Sequence, residues 1–536
     1  MSGEERIAAS IFRYDPDKDV TPRYENFVVQ YRKNMTVLGV LRYIYEHLDG
    51  SLAFDHECRN GYCGICAVLV NKEPVLACKT PASKEMMIEP LPNFPIVRDL
   101  IVDRSFFNER IDRVRPFIER ATPPALEPEE LRPEEFKIHK TLSRCVRCSS
   151  CYSICPVVTD AAREFGGPTS MVEIAKYAFD PRDNWTRSIT AYQEGVFNCV
   201  GCSKCKKVCP SEIPIFDIIA RMRGQVLDRE IGPFKQVNEI QERILSTGRP
   251  FKRISIEPTF LEQAPSIIEA ENPVDRVAFF VGCHYGTYSP RYHKIAKSVV
   301  NVLWANGVSV VIPREQICCG LPLLQTGSTS TIQKIAKRNI DILKNTRLDT
   351  VVTACPGCGI TLKNEYPKII QEDLPFRVKD ISEYLSEASV LNTKSMKKLD
   401  LKVTYHDPCH LKYGIGVSLE PRKLLQSIPG LELIEMEEAD RCCGGGGEVR
   451  VLNLRLARKI TQKKSEMIRK LNVDTVVASC PFCKMQIEDA FRLSRMPTIR
   501  IFHVVELVAM AYEMEPFVKH GAKTLPHNNS PGQSQI

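Results

Sequence analysis

Apolar and polar residues alternate along Ile7 to Phe12 and again from Phe27 to Val29, the period-two pattern of strands with one buried face. The period then lengthens: Val37 to His47 places apolar residues at helical spacing, and short strand-like runs follow around Val68 and Val75. The Pro- and Glu-rich ATPPALEPEELRPEE reads as an exposed connector. Residues 136 to 230 change to helical patterning around two Cys-Pro punctuations, and a loose stretch near 248 to 275 carries several prolines before Arg276.

Beyond Arg276 the pattern repeats. Strand-like VAFFVG runs into Cys283 and KVTYHDP runs into Cys409, 126 positions later. The Cys-Cys-Gly at 318 to 320 recurs at 442 to 444, and TVVTACPGC ending at Cys358 recurs as TVVASCPFC ending at Cys483. Offsets this similar predict an internal duplication. Helix-period segments lie between the markers, one through Ile332, Ile335, Ala336, Ile340 and Leu343, the other through Leu456, Ile460, Met467 and Leu471. An α/β unit is expected in each copy, with cysteines in loops at the carboxyl ends of strands.

Composition narrows the classes. A chain of 536 residues, 43% hydrophobic and 26% charged, is expected to fold over most of its length into several domains. Twenty-two cysteines in that length are sparse beside disulfide-stapled secreted domains, and MSGEERIAAS lacks the regions of a signal peptide, so a reducing cytoplasm is expected. The longest apolar run, Val504 to Tyr512, is too short to span a bilayer. A net charge of +8 with interleaved signs gives little support to nucleic-acid binding. Basic clusters at Lys204, Lys206 and Lys207, and from Lys394 to Lys402, read as solvated faces, with docking to an acidic redox partner as the alternative.

The cysteines fall into five groups. Cys58, Cys63, Cys66 and Cys78 have the C-x4-C-x2-C-x11-C spacing of plant-type [2Fe-2S] ligands, with Gly61 and Gly64 where the loop must turn tightly; four-thiolate zinc is the competing reading. Cys145, Cys148, Cys151 and Cys155 before Pro156, and Cys199, Cys202, Cys205 and Cys209 before Pro210, are two C-x2-C-x2-C-x3-C-P runs. In two-cluster ferredoxins the fourth cysteine of such a run serves the other cluster. One [4Fe-4S] cluster is therefore expected on Cys145, Cys148, Cys151 and Cys209, the other on Cys199, Cys202, Cys205 and Cys155. The last two groups are Cys283, Cys318, Cys319, Cys355 and Cys358, and Cys409, Cys442, Cys443, Cys480 and Cys483. Five thiolates exceed what zinc or a simple cubane uses, which indicates an enlarged cluster or a cubane with a substrate-facing thiol. A redox disulfide between vicinal or CxxC cysteines is the other reading. Gly320 and Gly444 to Gly447 would let backbone amides approach an anionic cluster. His284 and His410 follow the first cysteine of each set and read as packing or hydrogen-bonding histidines, with proton transfer the alternative.

Residues 7 to 230, cysteine groups and PNFPIVRDLIVDRSFF segment together, resemble the iron–sulfur subunits of succinate dehydrogenase and fumarate reductase. That family usually has a shorter last ligand set, holding [3Fe-4S] beside quinone; here Cys202 completes four, which puts a quinone site in doubt. Residues 276 to 510 resemble the CCG-domain B subunits of heterodisulfide reductases, with both five-cysteine sets intact. The fusion resembles the iron–sulfur subunits of the thiol:fumarate reductase family of methanogens. The resemblance implies a multidomain fold: a β-grasp [2Fe-2S] ferredoxin domain over 1–100, an α-helical two-[4Fe-4S] ferredoxin domain over 136–230, and duplicated α/β CCG domains over 276–392 and 401–515, with 516–536 a disordered tail. It implies a noncubane [4Fe-4S] cluster on each five-cysteine set, where coenzyme M and coenzyme B thiols are oxidised. Electrons would then pass through the chain to a separate flavoprotein, similar to those of fumarate reductase and succinate dehydrogenase, that carries FAD and reduces fumarate. No GxGxxG dinucleotide motif occurs here, so the chain would be active only with that partner. Two other readings share the cysteines: an electron-transfer subunit of a succinate or other flavin dehydrogenase that feeds a quinone or another carrier, and a heterodisulfide reductase arm of another flavoenzyme.

Overall fold

The computed structural model describes residues 6–123, 129, 131–253, 255, 257–328, 331–387, 390–496 and 499–514. The segment 516–536, expected to be disordered, lies outside the described residues. The chain divides into two compact units, Met1–Gly232 and Pro233–Ile536.

In the first unit the alternating runs become Arg6–Arg13 and Arg23–Gln30, antiparallel with Ile7 opposite Val29. Glu85–Glu89 adds in parallel on the other side of Arg6–Arg13, followed by Ala67–Val70 and Glu73–Leu76. The strand Glu85–Glu89 is not among those the sequence predicts, because Met86, Met87 and Ile88 give no clean alternation. The helix Val37–His47 starts where Thr36 accepts from the Gly39 amide, and it buries Val37, Leu38, Val40, Leu41 and Ile44. Arg13, inside this sheet, is held by Asp99, Glu25 and Asp49, so its buried charge is neutralised.

The rest of this unit is helical. Its longest helices, Pro133–Ser143, Gly167–Ala178 and Ile215–Leu227, surround two short turns, Ser150–Ser153 and Lys204–Lys207. The expected connector ends sooner than its composition suggests, since Pro133, Glu134 and Glu135 form a first helical turn with Glu135 bonded back to the Arg132 amide. Phe94 and Phe107 meet Tyr152 with ring centroids 5.4 and 5.1 Å away, which fastens the sheet portion to the helical portion.

The second unit begins with the helix Phe234–Thr247 and contains two sheets. The stretch 248 to 275, read as loose, holds a helical turn Phe260–Gln263 and an edge strand Ile267–Ile268. The first sheet runs Arg377–Asp380, Thr350–Thr353, Asp275–Phe279, Val308–Val311 and Ile267–Ile268, parallel except for the last. The second runs Leu431–Leu433, Leu401–His406, Thr475–Ala478 and Arg500–Phe502, parallel throughout. Central strands buried on both faces read as continuous apolar runs rather than alternations. The helix Val504–Ala511, last in the chain's described order, packs on Pro290–Ala305 from the first sheet, while Ile381–Glu387 packs on Glu420–Gln426 from the second. One hydrophobic core therefore runs through both sheets. Among the described residues no helix is long and apolar enough to cross a membrane.

Candidate iron–sulfur sites

No two of the 22 cysteines, all among the described residues, are joined by a disulfide. In the first group the loop around Cys58 turns its backbone toward sulfur: the amides of Asn60, Tyr62 and Cys63 lie 3.4, 3.3 and 3.3 Å from Cys58 Sγ. Those amides, Asn60 first, pull the Cys58 thiol down to about 6. Burial pushes Cys66 up to about 12. Gly64 has φ +72°, and a Cβ there would meet Val146 O at 2.5 Å, so a glycine is needed where this loop approaches the helical portion.

In the helical portion one enclosed cavity is lined by Cys145, Cys148, Cys151 and Cys209. Burial above all, then the charges of Cys202 and Cys199, push the Cys155 thiol far up, which places it beside that second run. The structure thus brings each fourth cysteine to the other run's triplet. Lys207, in the basic cluster at 204 to 207, is paired with Glu73 at 2.9 Å.

In the second unit every cysteine follows the carboxyl end of a strand, because parallel strands all end at one edge. The thiols form two chains of contacts. Cys283, Cys318, Cys319, Cys358 and Cys355 bond in that order, and Cys409, Cys442, Cys443, Cys483 and Cys480 do the same. Cys443 Sγ is 3.3 Å from Cys483 Sγ, and its bonds to Cys442 and Cys483 bring it down to about 5. The amides of Gly320, Gly444 and Gly445 point at Cys318, Cys442 and Cys443 sulfurs at 3.4, 3.3 and 3.4 Å. Sulfurs bonded to one another and to backbone N–H groups, yet not joined by disulfides, suit an anionic iron–sulfur cluster better than a redox disulfide.

Both sets open onto one narrow cavity of about 60 Å³, whose wall includes His284, Tyr285, Gln325, His410, Glu448 and Phe482. His284 is wedged among Tyr288, Tyr292 and Phe482, with centroids 4.5, 5.0 and 5.1 Å away, and neither ring nitrogen has a partner. Burial, then the nearby Arg450 charge, lowers it to about 3. His410 lies opposite, 3.4 Å from the Gln325 amide nitrogen.

His406 is a site residue that spacing alone does not reveal. It is 1% exposed, and a ring nitrogen lies within 4.8 Å of both the Cys443 and Cys483 sulfurs. Burial, then the Lys464 charge, lowers it to about 3. Alignment of the two repeats carries the signal, since VAFFVGC has Phe280 where VTYHDPC has His406.

Models of known families match in the same order as these sites. A 2Fe-2S iron-sulfur cluster binding domain matches residues 8–109, a 4Fe-4S dicluster domain matches 141–213, and a cysteine-rich domain matches twice, at 277–363 and 403–488. The chain is 37% identical over 94% of its length to the B subunit of fumarate reductase (CoM/CoB) from Methanothermobacter marburgensis, 99% of which is covered. It is 28% identical over 70% of its length to the D subunit of the dihydromethanophenazine:CoB–CoM heterodisulfide reductase of Methanosarcina mazei, covering 95% of that chain. The fumarate reductase iron-sulfur subunit of Mycobacterium tuberculosis matches 41% of the chain at 33% identity, with 92% of its own length covered. Ferredoxin-type modules followed by two cysteine-rich modules, matched end to end by one relative, place this chain in the family of fumarate reductase (CoM/CoB) B subunits, iron–sulfur subunits of an oxidoreductase.

Proposed function

We propose that this chain oxidises two thiols to a mixed disulfide at its second unit and delivers the electrons through its ferredoxin-type sites to a flavoprotein subunit that reduces fumarate. The balance is two thiols plus fumarate giving one disulfide plus succinate, with two electrons and two protons transferred. Coenzyme M and coenzyme B are the thiols, as the relative's name indicates. The flavoprotein carries FAD, and the complex works in the cytoplasm.

Each part of the chain has its share in this reading. Residues 1–100 form a β-grasp domain with [2Fe-2S] on Cys58, Cys63, Cys66 and Cys78. Residues 136–230 hold one [4Fe-4S] cluster on Cys145, Cys148, Cys151 and Cys209 and another on Cys199, Cys202, Cys205 and Cys155. Residues 276–392 and 401–515 are copies of one α/β domain, each holding a noncubane [4Fe-4S] cluster on its five cysteines. Clusters at the two C-terminal sets would supply iron that binds sulfur and accepts electrons singly. The chain's own residues bury the thiols, aim the Gly320, Gly444 and Gly445 amides at them, and line a narrow cavity between the two sets.

The observation that carries this reading is the single cavity shared by both five-cysteine sets, which suits one disulfide whose two sulfurs separate toward two centres. The test is an anaerobic assay of the chain with its flavoprotein partner, supplied with both coenzyme thiols and fumarate. Succinate that forms only when both thiols are present is expected; absence of thiol-dependent succinate would sink the proposal.

A further inference from the structure

The two five-cysteine sets match in every cysteine but not in the side chain three positions before the first. In the first half that place is Phe280, fully buried. In the second it is His406, equally buried and on the strand Leu401–His406 that leads to Cys409. An apolar ring needs no partner there. An imidazole does, because burying an unsatisfied polar group costs free energy.

The partners of His406 settle its tautomer. Nδ1 is 3.1 Å from Ala439 O. A carbonyl only accepts, so Nδ1 carries the hydrogen and Nε2 presents a lone pair. Nε2 has no hydrogen-bond partner. Ala439 O is fixed in turn by Lys464 Nζ at 3.2 Å, so the ring is held from behind. Ahead of it, a ring nitrogen and the sulfurs of Cys443 and Cys483 lie within 4.8 Å of one another. Nδ1–H bonded to a main-chain carbonyl, with Nε2 bare in a ring set beside two thiols, is the arrangement of metal-ligating histidines. In the first half the matching position in the sequence is Phe280, whose buried ring has no ligand atom to offer.

We propose that His406 Nε2 is an iron ligand of the cluster on the second five-cysteine set, so that the two sets hold clusters of unlike ligation: five cysteines in the first, five cysteines and a histidine in the second. This rests on the reading that both sets hold clusters. The consequence is a built-in asymmetry. The second cluster carries a neutral nitrogen donor in addition to the five thiolates that both share, and ligation tunes the potential of iron–sulfur centres. The two clusters then differ in potential, and the two sulfurs of an unsymmetrical disulfide meet chemically different irons.

The experiment uses the full-length chain, purified anaerobically and labelled with [15N]histidine, in the oxidation state where the C-terminal clusters are paramagnetic. Pulsed electron paramagnetic resonance is expected to show a directly bonded histidine nitrogen that disappears in His406→Phe, the residue already tolerated at the matching place, and in His406→Gln, but persists in His410→Gln. One midpoint potential out of five should move in His406→Phe while the others stay. Iron analysis separates the two readings. About 18 irons per chain without a bonded histidine nitrogen, or a coupling that survives both His406 variants, overturns the ligand assignment and leaves the proposed function standing. A content near ten irons overturns the C-terminal clusters themselves, and the ligand proposal with them.

Discussion

The two halves of the second unit carry the same five cysteines in the same contact order, yet the side chains that brace those cysteines differ. In the first half Asn339 donates to Cys318 O at 3.3 Å and Tyr366 donates to Cys319 O at 3.0 Å. In the second, Lys464 donates to Glu438 O at 2.8 Å, and Thr461 donates to Cys443 O at 2.7 Å. Phe280 faces His406, and a single glycine after the double cysteine faces a run of four. The repeated residues are those whose chemistry both halves need. The unrepeated ones were free to diverge because any buried donor can satisfy a carbonyl, and they are where the halves become chemically distinct.

The largest effect that tests this comparison comes from the shared residues. Cys318→Ser and Cys442→Ser should each remove about four irons from the chain and lower thiol-dependent succinate formation by about 100-fold or more. Dye-linked succinate oxidation by the complex should be unchanged, because that route needs only the flavoprotein and the first unit. Equal loss of both activities would favour the reading in which the cysteine-rich halves merely carry electrons to another acceptor. If one variant alone lost thiol chemistry, the halves would not be equivalent partners in it.

Next come the glycines. Gly320 and Gly444 both sit in the left-handed region, at φ +84° and +80°. A Cβ on Gly320 would meet the terminal methyl of Ile332 at 2.1 Å, whereas one on Gly444 would meet the backbone oxygen of Ala457 at 2.5 Å. A side-chain methyl can turn away and a helix carbonyl cannot. Gly444→Ala is expected to cost about 3 kcal/mol and Gly320→Ala about 2 kcal/mol, as urea midpoints under nitrogen with iron retention followed in parallel. A smaller loss follows from removing the braces: Lys464→Met leaves the Glu438 carbonyl without this buried donor and should cost about 1–3 kcal/mol, and Asn339→Leu, which uncovers Cys318 O, about the same.

Much of this arrangement was legible in the chain. Cysteine spacing located all five groups, since ligands from one loop must converge within a few residues, and strand-like runs into Cys283 and Cys409 placed two of the groups at sheet edges. The helix Val37–His47 was readable from period alone. Less was readable at Glu85–Glu89, where apolar Met87 sits on the less buried face between Met86 and Ile88 and hides the alternation. His406 escaped because a lone histidine in an apolar run looks like core; only its position against Phe280 distinguishes it. The bracing residues Lys464 and Asn339 also escaped, since a lysine on a basic helix such as Leu454–Arg469 reads as solvated until packing shows it fully buried.

The smallest effect is a difference in sign. Asp380 and His503 occupy corresponding places, each just before the helix that follows the last strand of its half, and both are buried. Burial pushes the Asp380 carboxyl up to about 7 from 3.8, and it pushes His503 down to about 3 from 6.5. Asp380 holds its proton more tightly folded than unfolded, so its contribution is fully present below pH 3.8 and is lost as pH rises through 7. His503 does the reverse: its contribution is present above pH 6.5 and is lost as pH falls toward 3. Between about pH 4 and 6.5 the two slopes oppose, each at most about 1.4 kcal/mol per pH unit, and nearly cancel. Relative to the parent chain, Asp380→Asn, which keeps an oxygen for the Ser382 amide, should tilt the curve toward stability that climbs with pH across that window, and His503→Gln should tilt it the other way, on top of the rising slope that His284 and His406 add to both. Urea midpoints of the iron-loaded chain at pH 4.5 to 7, roughly the span where both groups act, read the slopes directly. Parallel curves for the two variants would mean that these corresponding positions, unlike Phe280 and His406, have not diverged in function.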